Sequence, residues 1–322
     1  MKHGLTHGLV LAGALAMGFG AGAQTFPSKP VRIVVPFGAG GVADLTARTV
    51  GQKLSESLGQ PVVIENKPGA GGIVAGEAVA KADPDGHTLL LMSNGTAVSA
   101  GMFKSLPFDT VKDFTPISTL GFFDIAIVTP AESKFKTLGD LLAFAKANPG
   151  KLNVGTINIG STQNLAAELF KTTSGADVQI VPFNGTPAVV TALRGGQVDA
   201  AVEILGPILP QINAKALRAL AVTGDKRAAV LPDVPTAIES GLSAFVASSW
   251  NALAAPAKTP KEVVARLNKE IAAALNSPDV KKKLADLNVD AYSSTPEQAS
   301  ELLSSEIRRW GGVMVRAKIP QQ

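Results

Sequence analysis

The sequence predicts an α/β chain of two lobes, each a mainly parallel sheet flanked by helices, and three observations lead there. Short, near-continuously apolar strands alternate with stretches of helical periodicity, the pattern of sheets covered on both faces. Two strands, at Val31 to Val35 and near Val154, end in glycine-rich turns that run straight into helices. Two extended stretches, Ile117 to Thr129 and Ala247 to Ala255, fit a crossing out of the first lobe and a return to it. The expected division is 24–124 with 247–322 as lobe one and 125–246 as lobe two.

The N-terminus stands apart from that fold. Lys2 precedes an apolar run from about Leu9 to Phe19, and Ala21-Gly22-Ala23 offers small residues for cleavage before Gln24. This is the pattern of a secretory signal peptide over residues 1–23, too short to span a bilayer. The mature chain is expected in the periplasm. Cleavage takes one base, Lys2, from a formal charge of +4 and leaves +3. The remaining bases are scattered, with Lys281-Lys282-Lys283 the one run, and aromatic content is 5 %, so a nucleic-acid partner is not expected.

In chain order, the first corner is Val31-Arg32-Ile33-Val34-Val35-Pro36-Phe37-Gly38-Ala39-Gly40-Gly41-Val42-Ala43-Asp44. A helix runs on from Val42 to Leu58, with Gly59 as its C-terminal cap. Pro61 to Glu65 is predicted as a short buried strand, and Asn66 to Gly72 as a third glycine-rich loop before a helix from Ile73 to Lys81. Thr88 to Met92 is a strand ending at Ser93-Asn94. After a loop from Leu106 to Pro116 and the crossing, Thr137 and Asp140 form a capping box for the next helix. The second corner, Val154 to Thr162, opens a helix from Gln163 to Ser174. Val178 to Pro182 is a strand. Thr186 is expected as the N-cap of the next helix and Pro187 as its first helical residue. Gly195 to Glu203 is predicted as a strand ending on a carboxylate, and Leu217 to Val222 as another. A short helix is expected to end at Gly241. Three helices close the chain, opening at Thr259-Pro260, Ser277-Pro278 and Thr295-Pro296.

The residue inventory removes most catalysis. There are no cysteines, and of three histidines only His87 survives export, in a turn. Thiol nucleophiles, histidine-ligated metals and most triads are thereby excluded. No cofactor and no enzymatic activity are expected. What the corners do offer is anion binding. Glycines leave backbone N–H groups uncovered, and the helix behind them adds unpaired N–H groups and the positive end of its dipole.

Two such corners in an exported chain without catalytic residues suggest a solute-binding protein whose lobes close by a hinge on a small carboxylate. The candidate contacts in the first corner are Phe37, as an apolar wall, with Ala39, Gly40, Gly41 and Val42. In the second they are Gly155, Thr156, Asn158, Ser161, Thr162 and Asn164. Ser93 and Asn94, Asn184 and Gly185, and Glu203 lie at other strand ends, where open α/β sheets bind ligands. Glu203 reads equally as a solvated acid. Asp44 would repel an anion and is read as tying down its own helix. A dinucleotide site is the competing reading, but Gly38-Ala39-Gly40-Gly41 does not complete G-x-G-x-x-G, because Ala43 takes the last position.

The motifs Lys29-Pro30-Val31-Arg32-Ile33-Val34-Val35-Pro36-Phe37 with Gly40-Gly41 and Asp44, Asn66-Lys67-Pro68-Gly69-Ala70-Gly71-Gly72, and Leu231-Pro232-Asp233-Val234-Pro235-Thr236 resemble the Bug family. So do Asp113-Phe114-Thr115-Pro116, Gly195-Gly196-Gln197-Val198-Asp199 and Ser249-Trp250 with Ala255-Pro256-Ala257. These are extracytoplasmic solute receptors of tripartite tricarboxylate transporters, and the resemblance covers essentially the whole mature chain. It implies a Venus-flytrap fold with two crossing segments, a monomer, and membrane permease subunits as partners. It also implies carboxylate ligands held by the loops Pro36 to Val42 and Gly155 to Thr162. Presentation of ligand to a sensor kinase, or a periplasmic enzyme, are the alternative functions. Two departures bear on the ligand: the family's second loop usually continues into a histidine where this chain has Asn164, and its Phe-Asp is here Val202-Glu203.

Overall fold

The computed structural model describes residue 1, residues 26–316 and residues 318–322; the leader and its cleavage site lie outside the described residues. The chain runs β1 (Val31–Val35), α1 (Val42–Leu58), β2 (Val62–Asn66), α2 (Ile73–Ala80), β3 (Thr88–Ser93), α3 (Asn94–Met102) and β4 (Phe114–Pro130). It continues through α4 (Leu138–Ala147), β5 (Leu152–Ile157), α5 (Thr162–Ser174), β6 (Val178–Phe183), α6 (Thr186–Arg194), β7 (Ala200–Ile204), α7 (Leu205–Asn213) and β8 (Leu217–Val222). β9 (Ser248–Pro256), α8 (Lys261–Asn276), α9 (Pro278–Asp286), β10 (Val289–Ala291) and α10 (Pro296–Arg316) complete it.

The strands hydrogen-bond in the order β2-β1-β3-β9-β4-β7-β5-β6, with β8 and β10 also on β4. The β2-β1-β3 and β6-β5-β7 ladders are parallel, as their apolar runs imply, while β4 and β9 insert antiparallel. β4 has two halves with different neighbours. Phe114 to Asp124 pairs with β9, and Ile125 to Pro130 pairs with β7 and β8. One strand of 17 residues thus belongs to both lobes, and β9 provides the return.

α1 shows how the pattern makes the layer. Val42, Thr46, Val50, Leu54 and Leu58 recur on one face and are buried against the sheet. Burial of one such aliphatic side chain contributes about 1.5–3 kcal/mol. Gly59 closes the helix in the left-handed conformation at φ 68°, its N–H donating to the carbonyl of Ser55.

Several elements differ from the sequence expectation. β2 is the sheet edge, and Val63 is 52 % exposed, so an apolar run here did not mean burial. The strand expected over 195–203 begins only at Ala200, because Gly196 turns the chain at φ +71°. Thr186 is the first helical residue and Gly185 the N-cap, which frees the Thr186 hydroxyl for another partner. The segment 236–241 is a turn rather than a helix, held by Thr236 and Glu239 capping one another. Thr259 and Ser277 make no side-chain cap, whereas Thr295 caps as expected.

α3, α7 and β10 were not expected. α7 begins Leu-Gly-Pro, which reads as a loop, yet proline is tolerated in a first turn where its N–H would be unpaired. Gly206 is required there, since a Cβ would clash with the carbonyl of Leu287.

Candidate ligand-binding site

The first corner spends much of its polarity on itself. Gly40 takes φ +81°, which favours glycine, and its N–H donates to Asp44 Oδ2 at 3.0 Å. Arg48 Nε reaches both Asp44 oxygens at 3.0 and 3.1 Å, and its guanidinium also donates to Asn66 Oδ1 at 3.1 Å. Asn66 in turn donates to the carbonyl of Phe37 at 3.0 Å. Burial alone would raise the Asp44 pKa, but the hydrogen bonds from Arg48 and the Gly40 N–H outweigh it and hold the carboxyl below its ordinary value. Asp44 therefore ties down its helix, as its charge implied. The N–H groups of Val42 and Ala43 remain, in the first turn of α1 where no intrahelical acceptor exists.

The second corner contains buried hydroxyls and amides without a charge among them. Ser161 Oγ caps α5 by accepting from the Asn164 N–H at 3.1 Å. Asn164 Nδ2 donates to Thr156 Oγ1 at 3.3 Å, and Thr156 donates to the Ile157 carbonyl at 3.0 Å. Asn158 Nδ2 reaches Asn184 Oδ1 at 3.5 Å, a long bond. Thr162 Oγ1 lies 3.1 Å from Ser249 Oγ, linking α5 to the returning strand β9.

Behind this corner stands Glu203, wholly buried rather than solvated. Its Oε2 accepts from Thr186 Oγ1 at 3.1 Å, the Ile204 N–H at 3.2 Å and Gln163 Nε2 at 3.4 Å. Oε1 has no partner among the described residues. Desolvation pushes the carboxyl up to about 7, against the pull of those three donors.

Between the corners lies a small cavity with room for about 20 Å³ of water-accessible volume. Of the expected residues, Phe37, Gly41, Val42, Ser93, Thr162 and Gly185 line it. Ala39, Gly40, Asn94, Gly155, Thr156, Asn158, Ser161, Asn164, Asn184 and Glu203 do not. The reasons are local. Gly155 lies mid-strand beneath Val189 and Val198. Asn94 bridges Trp310 Nε1, at 2.7 Å, and the Ser248 carbonyl, at 3.3 Å. Gly40, Ser161 and Asn164 are engaged as described, and Asn184 meets the opposite lobe.

Residues not expected as ligand contacts complete the lining, among them Phe123, Gln163, Thr186, Ser249 and Asn251, with Gly38 of the first loop beside them. Asn251 is fully buried, and neither its Oδ1 nor its Nδ2 has a partner among the described residues. Buried amides of this kind are otherwise paired, so both atoms are open to a polar partner in the cavity. Its position on a long apolar strand concealed it. Only the pairing of Asn251 with Ser93 on β3 shows that it reaches a strand's carboxyl end.

The lobes meet around this cavity. The Gly71 N–H donates to the Ile159 carbonyl at 2.7 Å, and Ser99 Oγ donates to the Gly160 carbonyl at 3.3 Å. Gly38 lies so close to the Asn184 carbonyl that a Cβ would clash with it. The third glycine-rich loop is therefore a lobe-to-lobe contact, and the arrangement is a closed one.

Residues 46–318 match the model of the tripartite tricarboxylate transporter family receptor, TctC. The fold is similar to the periplasmic binding protein BugD, with a TM-score of 0.89 and 30 % identity over 92 % of this chain and all of that one. It is similar to Rpa4515 of R. palustris with adipate, with a TM-score of 0.88 and 32 % identity over 92 % and 99 % of the two chains. It is also similar to MatC from Rhodopseudomonas palustris with bound malate, with a TM-score of 0.84 and 34 % identity over 89 % and 99 %.

Proposed function

We propose that this chain, which belongs to the TctC family of tripartite tricarboxylate transporter receptors, captures a small dicarboxylate between its lobes and delivers it to a membrane permease. The observation that carries the reading is the convergence of three helix N-termini on one closed cavity. α1 brings Gly41 and Val42, α5 brings Thr162 and Gln163, and α6 brings Gly185 and Thr186. Each first turn supplies N–H groups without intrahelical partners and the positive end of a dipole, which favours anions. No Lys, Arg or His lines the cavity among the described residues, so an anion would be held by oriented backbone and hydroxyl donors.

Because the N-termini face the cavity from both lobes, an acid with a carboxylate at each end would draw them together. Solved relatives with malate and with adipate carry acids of that kind. The lobes in this reading are 24–124 with 247–322, and 125–246, and the mature chain acts as a monomer in the periplasm, the address that a leader over residues 1–23 would give it.

The test is a thermal-shift and calorimetric screen of malate, adipate, citrate, glutamate and benzoate. A ligand at a hundred times its Kd stabilises by about 2.7 kcal/mol, which for a protein of this size raises Tm by roughly 4 °C. A flat response to all five, or turnover of a bound acid, would sink the receptor reading.

A further inference from the structure

We propose that Glu203 is a positioning residue of the second corner that ties the first turns of α5 and α6 together and takes up a proton when a dicarboxylate is bound. The inference rests on the dicarboxylate reading above and deepens it.

The geometry comes first. Glu203 does not line the cavity, but two of its three donors, Gln163 and Thr186, do, and they stand on different helices. The third, the Ile204 N–H, belongs to a lining residue at the start of α7. A single carboxyl thus fixes three of the cavity's walls from behind. All three donors crowd onto Oε2, leaving Oε1 without a partner, and Oε1 is where a proton would reside.

Among the described residues, the surroundings hold no countercharge. Opposite on β4 is Ala126, and Val222 of β8 lies beyond it. The acid of β4 nearest in sequence, Asp124, interacts with Lys226 and Asp225, and Glu168 of α5 interacts with Lys171. β5 and α6 contribute no ionisable group there: Gly155 packs against Val189 and Val198, and the α6 contact is the neutral Thr186. Nothing in this shell neutralises an ionised Glu203, and its burial already places its titration near 7.

An anion at the N-termini of α5 and α6 adds a like charge across one layer of side chains. That favours the protonated form, so the pKa in the bound state lies above that in the free state. By linkage, affinity for a dianion is fully present below the free-state pKa of about 7. It then falls, at most tenfold per pH unit, until the bound-state pKa is passed.

The experiment has two arms. In the free protein, a ¹³C-carboxyl NMR titration is expected to show one glutamate titrating near neutrality and missing from Glu203→Gln. If every glutamate titrates in the ordinary carboxylate range, the inference is overturned whatever binds. In the second arm, malate and adipate are titrated calorimetrically between pH 6.5 and 8.5 in phosphate and in Tris, whose ionisation heats differ. Net uptake of a substantial fraction of one proton per ligand is expected, and its loss in Glu203→Gln. Binding without proton uptake, or with the same uptake in Glu203→Gln, also overturns it. Absence of heat with both acids counts against the dicarboxylate reading, leaving the first arm to decide Glu203.

Discussion

The two corners look alike in sequence and differ in what they leave free. In the first, Asp44 carries a charge into the turn, takes the Gly40 N–H and is neutralised by Arg48. In the second, no charge enters; hydroxyls and amides satisfy one another, and the acid behind them is uncompensated. A glycine-rich turn before a helix is therefore not by itself an anion site. What counts is which donors remain once the loop's own side chains have taken theirs.

The comparison breaks most visibly where the lobes touch. Gly38→Ala places a methyl against the Asn184 carbonyl and is expected to weaken ligand binding by roughly fivefold to a hundredfold, since such overpacking costs about 1–3 kcal/mol. The contact exists without ligand, so the Tm of the free protein is expected to fall as well. Unaltered affinity would show that binding does not need this contact.

Asp44→Asn tests the self-sufficiency of the first corner. Loss of its hydrogen bonds to a charged partner is expected to cost about 1.5–3 kcal/mol in urea unfolding at pH 7. Because the folded-state pKa of Asp44 is depressed, its stabilisation is present above the unfolded value and lost as pH falls through the folded one. The difference between variant and wild type should accordingly shrink in acid.

Within the second corner, two adjacent residues separate binding from support. Thr162→Ala removes a hydroxyl from the cavity lining and is expected to lower affinity by about 1 kcal/mol. Ser161→Ala removes a helix cap outside the cavity and is expected to lower stability by about 1 kcal/mol. The intrinsic contacts of bound ligand should then survive in Ser161→Ala. Equal losses of affinity in both would mean that the two hydroxyls share one role.

Much of the scaffold was legible in the residues because it rests on local rules. The α1 boundaries, Gly59 as its cap, the Thr137 capping box and the strand Leu217–Val222 come from periodicity, left-handed glycine and side-chain caps. The opening of α7 was illegible because Leu-Gly-Pro carries loop chemistry, and only the approach of the Leu287 carbonyl explains its glycine. The corners were legible as places. Which atoms face the cavity was not, because Asn164 turns back onto Thr156 and Asn158 reaches Asn184 while Gln163 and Thr186 line the cavity.

By itself the sequence determined the α/β alternation, the two corners, the inventory without thiols and the charge that ties Asp44 to its helix. Each of these is set within a few residues or by composition. Tertiary structure alone decided that Asn251 and Ser249 reach the cavity, that the loop at Gly71 seals against Ile159, and that Glu203 loses all contact with water. Those outcomes depend on pairing across β3, β9 and β4 and on the meeting of two lobes. They join residues more than eighty positions apart, or surround one by elements from several parts of the chain, and no local pattern encodes that distance.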